Sequence, residues 1–326
     1  MALFQRHDRI ETMPHANIPL LAACCLLAGL ALPAHSRVPD GLEALRDYSL
    51  ELVNRARRDA GRSPLELGAE LDKAAQAHAD DMLERDYYSH ASPEGGTVMD
   101  RYVEGGGSKG RLVAENIALC RNCSVQVDRQ GVEELHKGWM QSPEHRENIL
   151  AEGLSKYGFG VAVDEDGRRY GVQTFAGPGT PRGGDGEAIA IGAQEQSELI
   201  ARLISEARRD SGLGPVSADL SLVDAARRVV PEGDLTEVSL DELNPLRDSL
   251  PADAVWRRLQ MIAGSCGGCG VEATDADVRY FFDRWSESGN YRDILLDPDL
   301  GRIGMTVQPD GRGRKIAVAV MAGGGA

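Results

Sequence analysis

The sequence predicts a mixed fold of the α/β (α+β) class, with helices layered on antiparallel strands, built twice in tandem. Three observations predict it: an internal repeat, helical patterning that opens each copy with strand patterning that closes it, and a Gly- and Pro-rich stretch between the two. Cys120 and Cys266 lie 146 residues apart, and so do Cys123 and Cys269, Trp139 and Trp285, Arg146 and Arg292, Leu154 and Leu300, and Gly158 and Gly304. Upstream the offset is 151, pairing Ala56-Arg57-Arg58-Asp59 with Ala207-Arg208-Arg209-Asp210, Pro64 with Pro215, and Leu71 with Leu222. The middle of the second copy is therefore a net five residues shorter.

Each copy opens with an amphipathic helix. Leu45, Leu52, Val53 and Ala56 share its face in the first, and Leu199, Leu203, Ile204 and Ala207 in the second. A Gly-x-x-Pro turn ends that helix at Gly61 to Pro64 and at Gly212 to Pro215. An Ala-rich helix follows near 69–86 and 220–230, then a Gly-rich loop in the first copy only, then a helix ending at Trp139 or Trp285. Each copy closes on a hairpin with period-two apolar patterning around a Gly- and Asp-containing turn. These are 157–163 with 169–175, and 303–307 with 315–320. The stretch from Gly177 to Gly186 separates the copies, and Gly323 to Ala326 is a frayed end. The expected organisation is an export signal over 1–36, a first domain over 40–178, a linker over 179–194 and a second domain over 195–322.

At 42% apolar residues and a mean hydropathy of −0.32, the chain has the composition of a globular protein rather than a multi-span membrane protein. A net charge of −15 argues against nucleic acid as a partner, because phosphate binding is driven by Lys and Arg. Ile18 to Leu32 is apolar apart from Pro19, and Ala34-His35-Ser36 follows, which fits a cleaved export signal. The destination is then periplasmic or extracellular. Leu21-Ala22-Ala23-Cys24 also resembles a lipoprotein cleavage box, and lipidation at Cys24 is the one route to a membrane. In an exported chain, Cys120 with Cys123 and Cys266 with Cys269 read as two local disulfides; the alternative is one zinc site with four thiolates.

Several motifs in the first copy fall in a telling order. Leu52-Val53-Asn54-x-x-Arg57 precedes Ala74-Ala75-Gln76-Ala77-His78 and Ser89-His90-x-Ser92-Pro93. Met99-Asp100-Arg101 follows, then Ala114-Glu115-Asn116-Ile117-Ala118, Trp139-Met140-x-Ser142-Pro143-x-His145-Arg146 and Gly158-x-Gly160. Together, over roughly 130 residues, these resemble the CAP superfamily of cysteine-rich secretory, antigen 5 and pathogenesis-related 1 proteins, in its bacterial, SCP-like form. The resemblance implies tandem three-layer α-β-α sandwich domains of CAP type, the second one degenerate. It also implies a shallow cleft lined by two histidines and acidic residues that can hold a divalent metal. Carried over, the histidines are His90 and His145 and the glutamate is Glu115. A second glutamate found in eukaryotic members falls here on Ser142.

Two imidazoles and one carboxylate are a plausible ligand set for Zn2+ or another divalent cation. Without metal, Glu115 would orient and partly charge a neighbouring imidazole. Each residue also has a purely structural account: His145 as a helix cap, His90 satisfied by backbone, and Glu115 as an orienter of Asn148 or Arg146. Ser89 and Ser92 are not a nucleophile by adjacency alone. Asn116 reads as a structural hydrogen-bonder, His78 as a packed core histidine, and His136, Glu133 and Glu134 as solvent-facing. Trp139, Tyr87 and Tyr88 read as core or cleft wall. The second copy is an internal control: no histidine follows residue 181, His145 is matched by Tyr291, and Glu115 by Gln260 or Met261. The expected function is cleft-based binding of a small apolar molecule, lipid, peptide or cell-wall fragment. The alternatives are a metal-dependent hydrolase using the same residues and an envelope interaction protein.

Overall fold

The structure, a computed structural model, describes residues 39, 41–183, 187–251 and 256–324. The expected export signal at 1–36, with Cys24, lies outside the described residues. The N-terminal half contains α1 (Leu42–Asp59), β1 (Glu66–Leu67), α2 (Ala69–Glu84), α3 (Val98–Glu104), β2 (Leu112–Cys120), α4 (Arg129–Gln141), α5 (Pro143–Leu150), β3 (Lys156–Val163) and β4 (Arg169–Gly177). The C-terminal half follows with α6 (Ala193–Asp210), β5 (Ser217–Ala218), α7 (Leu220–Val229), a 3-10 turn at Leu240–Glu242, α8 (Leu246–Ser249), β6 (Arg258–Cys266), α9 (Asp275–Glu287), α10 (Gly289–Leu295), β7 (Arg302–Pro309) and β8 (Lys315–Gly323).

Each half holds one four-stranded sheet, ordered β1-β3-β4-β2 and β5-β7-β8-β6. The first pair of each sheet is parallel and the others antiparallel. The registers keep the 146-residue offset: Glu115 faces Thr174, and Met261 faces Val320. Met261, not Gln260, therefore occupies the position of Glu115.

The closing hairpins form as expected but occupy the sheet centre, where period-two patterning gives way to burial on both faces. All nine residues of β4 and all nine of β8 are buried. On one face of the first sheet, Tyr157, Phe159, Val161 and Phe175 pack against Leu52, Val53, Leu135, Trp139 and Ile149 of α1, α4 and α5. On the other, Ala162, Tyr170 and Val172 pack against Ala75, Ala79, Met82 and Leu83 of α2. The result is an α-β-α sandwich. The α2 layer comes so close that a Cβ on Gly158 would sit 2.3 Å from the Leu71 carbonyl carbon; Gly304 meets Leu222 of α7 in the same way, at 2.1 Å. These glycines are kept for space.

Several elements depart from the sequence reading. The Trp helix breaks at Ser142, and Pro143 starts α5 as its first residue, where a missing N–H costs no hydrogen bond. The loop expected between the second helix and the Trp helix contains α3, capped by Thr97 and Asp100, and the whole of β2. Helix α6 begins at Ala193, two residues inside the expected linker. Cys120–Cys123 and Cys266–Cys269 each close as a local disulfide, so the four-thiolate zinc site does not form.

A buried arginine repeats the same work in both halves. Arg57 donates to the carbonyls of Ser63 (2.8 Å), Ile149 (2.7 Å) and Ala151 (3.0 Å), tying α1 to the end of α5. Arg208 donates to Leu295 (2.8 Å) and Asp297 (2.7 Å), tying α6 to the end of α10. The halves meet along a seam of main chain. Gly268 donates to Gly110 (2.9 Å), Gly270 donates to Pro178 (2.9 Å), and Gly179 bridges to Cys269.

Candidate functional site

Strand β2 is the outer strand of its sheet, and side chains alternate across it. Glu115 projects into the α2 layer, and its neighbour Asn116 into the α1–α4–α5 layer. Two different polar clusters are therefore built from adjacent residues.

The Glu115 side chain is 2% exposed, and both its oxygens are engaged. Oε2 accepts from Arg101 of α3 at 2.8 Å, and Oε1 accepts from His90 Nδ1 at 2.9 Å. Arg101 also donates to the His90 carbonyl at 2.9 Å, closing a three-residue ring. Below it lies His78, fully buried, its Nε2 donating to the Ser89 carbonyl at 3.0 Å and standing 3.8 Å from Glu115 Oε1. Burial holds the His78 ring below the usual histidine range, Glu115 partly opposing this. Because Nδ1 of His90 faces Glu115, the tautomer is set and Nε2 is left as the available nitrogen on a half-exposed ring.

His145 lies on α5, half-buried. Burial lowers its pKa, and the nearby His90 ring lowers it further. Asn116 fixes that helix: its Nδ2 donates to the His145 carbonyl at 3.1 Å, and its Oδ1 accepts from Asn148 at 2.9 Å. The Asn116 amide also donates to Gln173 at 3.1 Å, Gln173 donates to the Tyr157 hydroxyl at 3.1 Å, and that hydroxyl meets Ser49 at 2.5 Å. A buried polar chain thus runs from α1 through the sheet centre to the carbonyl of a candidate site residue. Its counterparts in the C-terminal half are Ile200, Ile303, Ala319, Ile262 and Ile294. The chain vanishes there as a unit, together with both histidines, while the Arg57 and Arg208 ties persist.

His145 opens on a cleft of about 390 Å3 beside the free edge of β2, lined also by Ile117 to Cys120, Cys123, Gly131, Glu134, Leu135, Gly138, Trp139, Ser142, Tyr88 and Arg169. Trp139 Nε1 and the Tyr88 hydroxyl both donate to the Ile117 carbonyl at 3.1 Å, so the two aromatics stand as cleft walls. Positions that are small or short here carry Tyr280, Phe281 and Arg284 on α9, where α4 has Glu134, Leu135 and Gly138.

His90 and Glu115 are thus in direct contact, and His145 lies within electrostatic reach of His90. Among the described residues, no group of three or more His, Cys, Asp or Glu side chains is arranged to hold a metal ion. The carboxylate that would complete the expected ligand set is held by a guanidinium and an imidazole, and direct coordination would require displacing Arg101. The three-ligand set does not fit this arrangement. Ser89 and Ser92 hydroxyls accept from the backbone amides of Ala91 and Gly96, at 3.2 and 2.9 Å, and do not contact His90. Glu133 and Glu134 are exposed as expected, but His136 is half-buried, and burial lowers its pKa. Arg101 and His78 were not read as site residues. The polar chain was readable at the fixed offset, since Asn116, Asn148, Tyr157 and Gln173 all face apolar residues in the other half.

Residues 50–175 match the family described as CAP: Cysteine-rich secretory protein family. Over 122 residues the chain is 32% identical to "Uncharacterized protein YkwD" of Bacillus subtilis (strain 168), covering 37% of this chain and 44% of that protein. "Uncharacterized membrane protein YlbC" of the same organism is 32% identical over 126 residues, covering 39% of this chain and 32% of that protein. The chain spans less than half the length of these relatives. An extracellular protein containing a SCP domain, from Bacillus anthracis str. Ames, is 30% identical over 41% of this chain and 40% of its own, with a TM-score of 0.33. With the ordered motifs and the α-β-α arrangement, the match identifies residues 50–175 as a CAP domain of the bacterial type.

Proposed function

We propose that this is an exported binding protein whose N-terminal half takes a small ligand in the β2-edge cleft. Similarity to an extracellular SCP-domain protein supports the location. Among the described residues, no helix is long and apolar enough to cross a membrane. The observation that carries the reading is the cleft itself: apolar walls, a few convergent polar groups and a half-buried histidine at one end. Its helical wall is opened by Gly138, where a Cβ would meet nothing within 4 Å. The C-terminal half, with bulkier residues at matching positions and no histidine, is a degenerate copy retained for packing.

A second reading is favoured by one contact. Glu115 fixes His90 with Nε2 available, the arrangement a general base needs. Among the described residues no activated hydroxyl or thiol accompanies it, so hydrolysis would need water as the nucleophile. A divalent cation held by His90 and His145 belongs to this reading. Calorimetry with Zn2+ checks it: binding should be lost in a His90→Ala/His145→Ala variant, and unchanged binding would exclude these ligands.

The binding reading is tested with the neutral apolar dye N-phenyl-1-naphthylamine. The wild-type chain should bind it at one site with enhanced fluorescence, and Gly138→Trp, which fills the cleft without straining the helix, should abolish binding. Equal binding by both proteins would place the ligand elsewhere.

A further inference from the structure

One wall of the cleft carries a buried cation that, among the described residues, no carboxylate meets at ion-pair distance. Arg169, at the start of β4, is 2% exposed yet lines the cavity. One terminal nitrogen donates to the carbonyls of Ser124 at 2.6 Å and Gln126 at 3.5 Å, but the buried Nε has no hydrogen-bond partner. Among the described residues, no carboxylate lies within 4.0 Å of its guanidinium. Burial lowers the pKa of this arginine, and Glu134 and Asp128 oppose that only partly, from beyond contact distance, so the buried charge is costly.

The C-terminal half shows how the same position is neutralised. Lys315 occupies the place of Arg169 and is fully buried, and its Nζ donates to the equally buried Asp277 at 2.6 Å. Asp277 stands at the position of Gly131. In the N-terminal half the carboxylate in direct contact is therefore missing, and in its place is the residue with no side chain. Gly131 packs so closely that a Cβ there would lie 2.6 Å from an Arg169 terminal nitrogen. The guanidinium, the missing side chain and the cavity coincide. Beyond them, Leu119, Leu135 and Trp139 form an apolar wall.

We infer that the cleft takes a carboxylate borne on an apolar body, with the carboxylate supplying to Arg169 the counter-charge that Asp277 supplies to Lys315. The apolar body lies along the β2 edge toward His145. This rests on the proposed binding function and names its ligand chemistry. Two sources carry that chemistry, a free aliphatic acid and the C-terminus of an apolar peptide, and matched probes separate them.

The experiment measures affinity of the full chain for decanoate against decanol, and for acetylated leucyl-phenylalanine against its C-terminal amide. At least one acid should bind about ten- to a hundredfold more tightly than its neutral partner, the range expected for a charge-assisted hydrogen bond. Which acid does so identifies the source. Arg169→Met should erase the preference. Should that variant fail to fold, Gly131→Asp with Arg169→Lys transplants the ion pair of the other half. It should erase the preference equally while keeping a cooperative urea-unfolding transition. Equal affinity for acid and neutral probes in the wild type would overturn the inference, as would a preference that survives the transplant. Loss of the dye signal in Gly138→Trp with no acid preference anywhere would leave the binding function standing and remove only the ligand assignment.

Discussion

His78 is where burial and charge compete most directly. Its ring is fully enclosed, donates to the Ser89 carbonyl and stands 3.8 Å from Glu115, yet burial outweighs that carboxylate and holds its pKa down. The unfolded chain binds a proton at this residue near pH 6.5, roughly, while the folded chain does not until lower pH. Stability is therefore full above the unfolded value and falls as pH drops through it toward the folded value. His145 and His136, also lowered by burial, act in the same direction. Urea unfolding between pH 7.5 and 5.5, roughly the window around that value, should show stability falling with acid. In His78→Gln the slope should flatten by up to about 1.4 kcal/mol per pH unit, the value for one proton. An unchanged slope would mean that His78 is protonated in the folded state. The sequence marked His78 as core, which it is, but periodicity could not reveal that its ring lies directly beneath the Glu115 carboxylate.

Helix α5 shows how an element can be positioned from both ends. Asn116 and Asn148 hold it to β2, and Arg57 holds its last carbonyls to α1. Removing Arg57 leaves those carbonyls buried without donors. Arg57→Met should cost about 2–4 kcal/mol in urea unfolding, with Arg208→Met costing a similar amount through α10. Only the first should also weaken dye binding, because only α5 carries a cleft residue. Equal effects on binding would detach the cleft from α5. Much of this level is legible: the amphipathic faces of α1 and α6 and both hairpins follow from apolar periodicity, and α2 and α7 from Ala-rich runs. Strand β2 was missed because its nine residues mix Glu and Asn with apolar ones. An outer strand serving two polar clusters shows no clean alternation. The break at Ser142 is signalled by Pro143, which fits the first turn of a new helix better than the interior of the Trp139 helix. That Arg169 has no contact carboxylate is not legible in one half alone, since the matching position is Gly131 and the difference becomes visible only beside Lys315 and Asp277.

Across the whole molecule, the two halves share a strand order and a pair of buried arginines but not a chemistry. Main-chain hydrogen bonds are part of what joins them. Gly179 has φ +72°, and a Cβ on it would lie 1.9 Å from the Gly268 carbonyl oxygen. A side chain is therefore excluded both by conformation and by contact. Scanning calorimetry should show one cooperative transition for the wild type and two for Gly179→Val, with the dye site retained in the variant. A single transition in the variant would show that the seam does not couple the halves. The loop closed by Cys266 and Cys269 supplies the C-terminal side of this join, with Gly268 and Gly270 donating to carbonyls across it. Deleting the histidine-free portion would thus leave naked acceptors at Gly110 and Pro178 along a raw margin, inviting the wrong neighbours. A segment that carries no histidine can still brace its neighbour, as a splint held on by these acceptors.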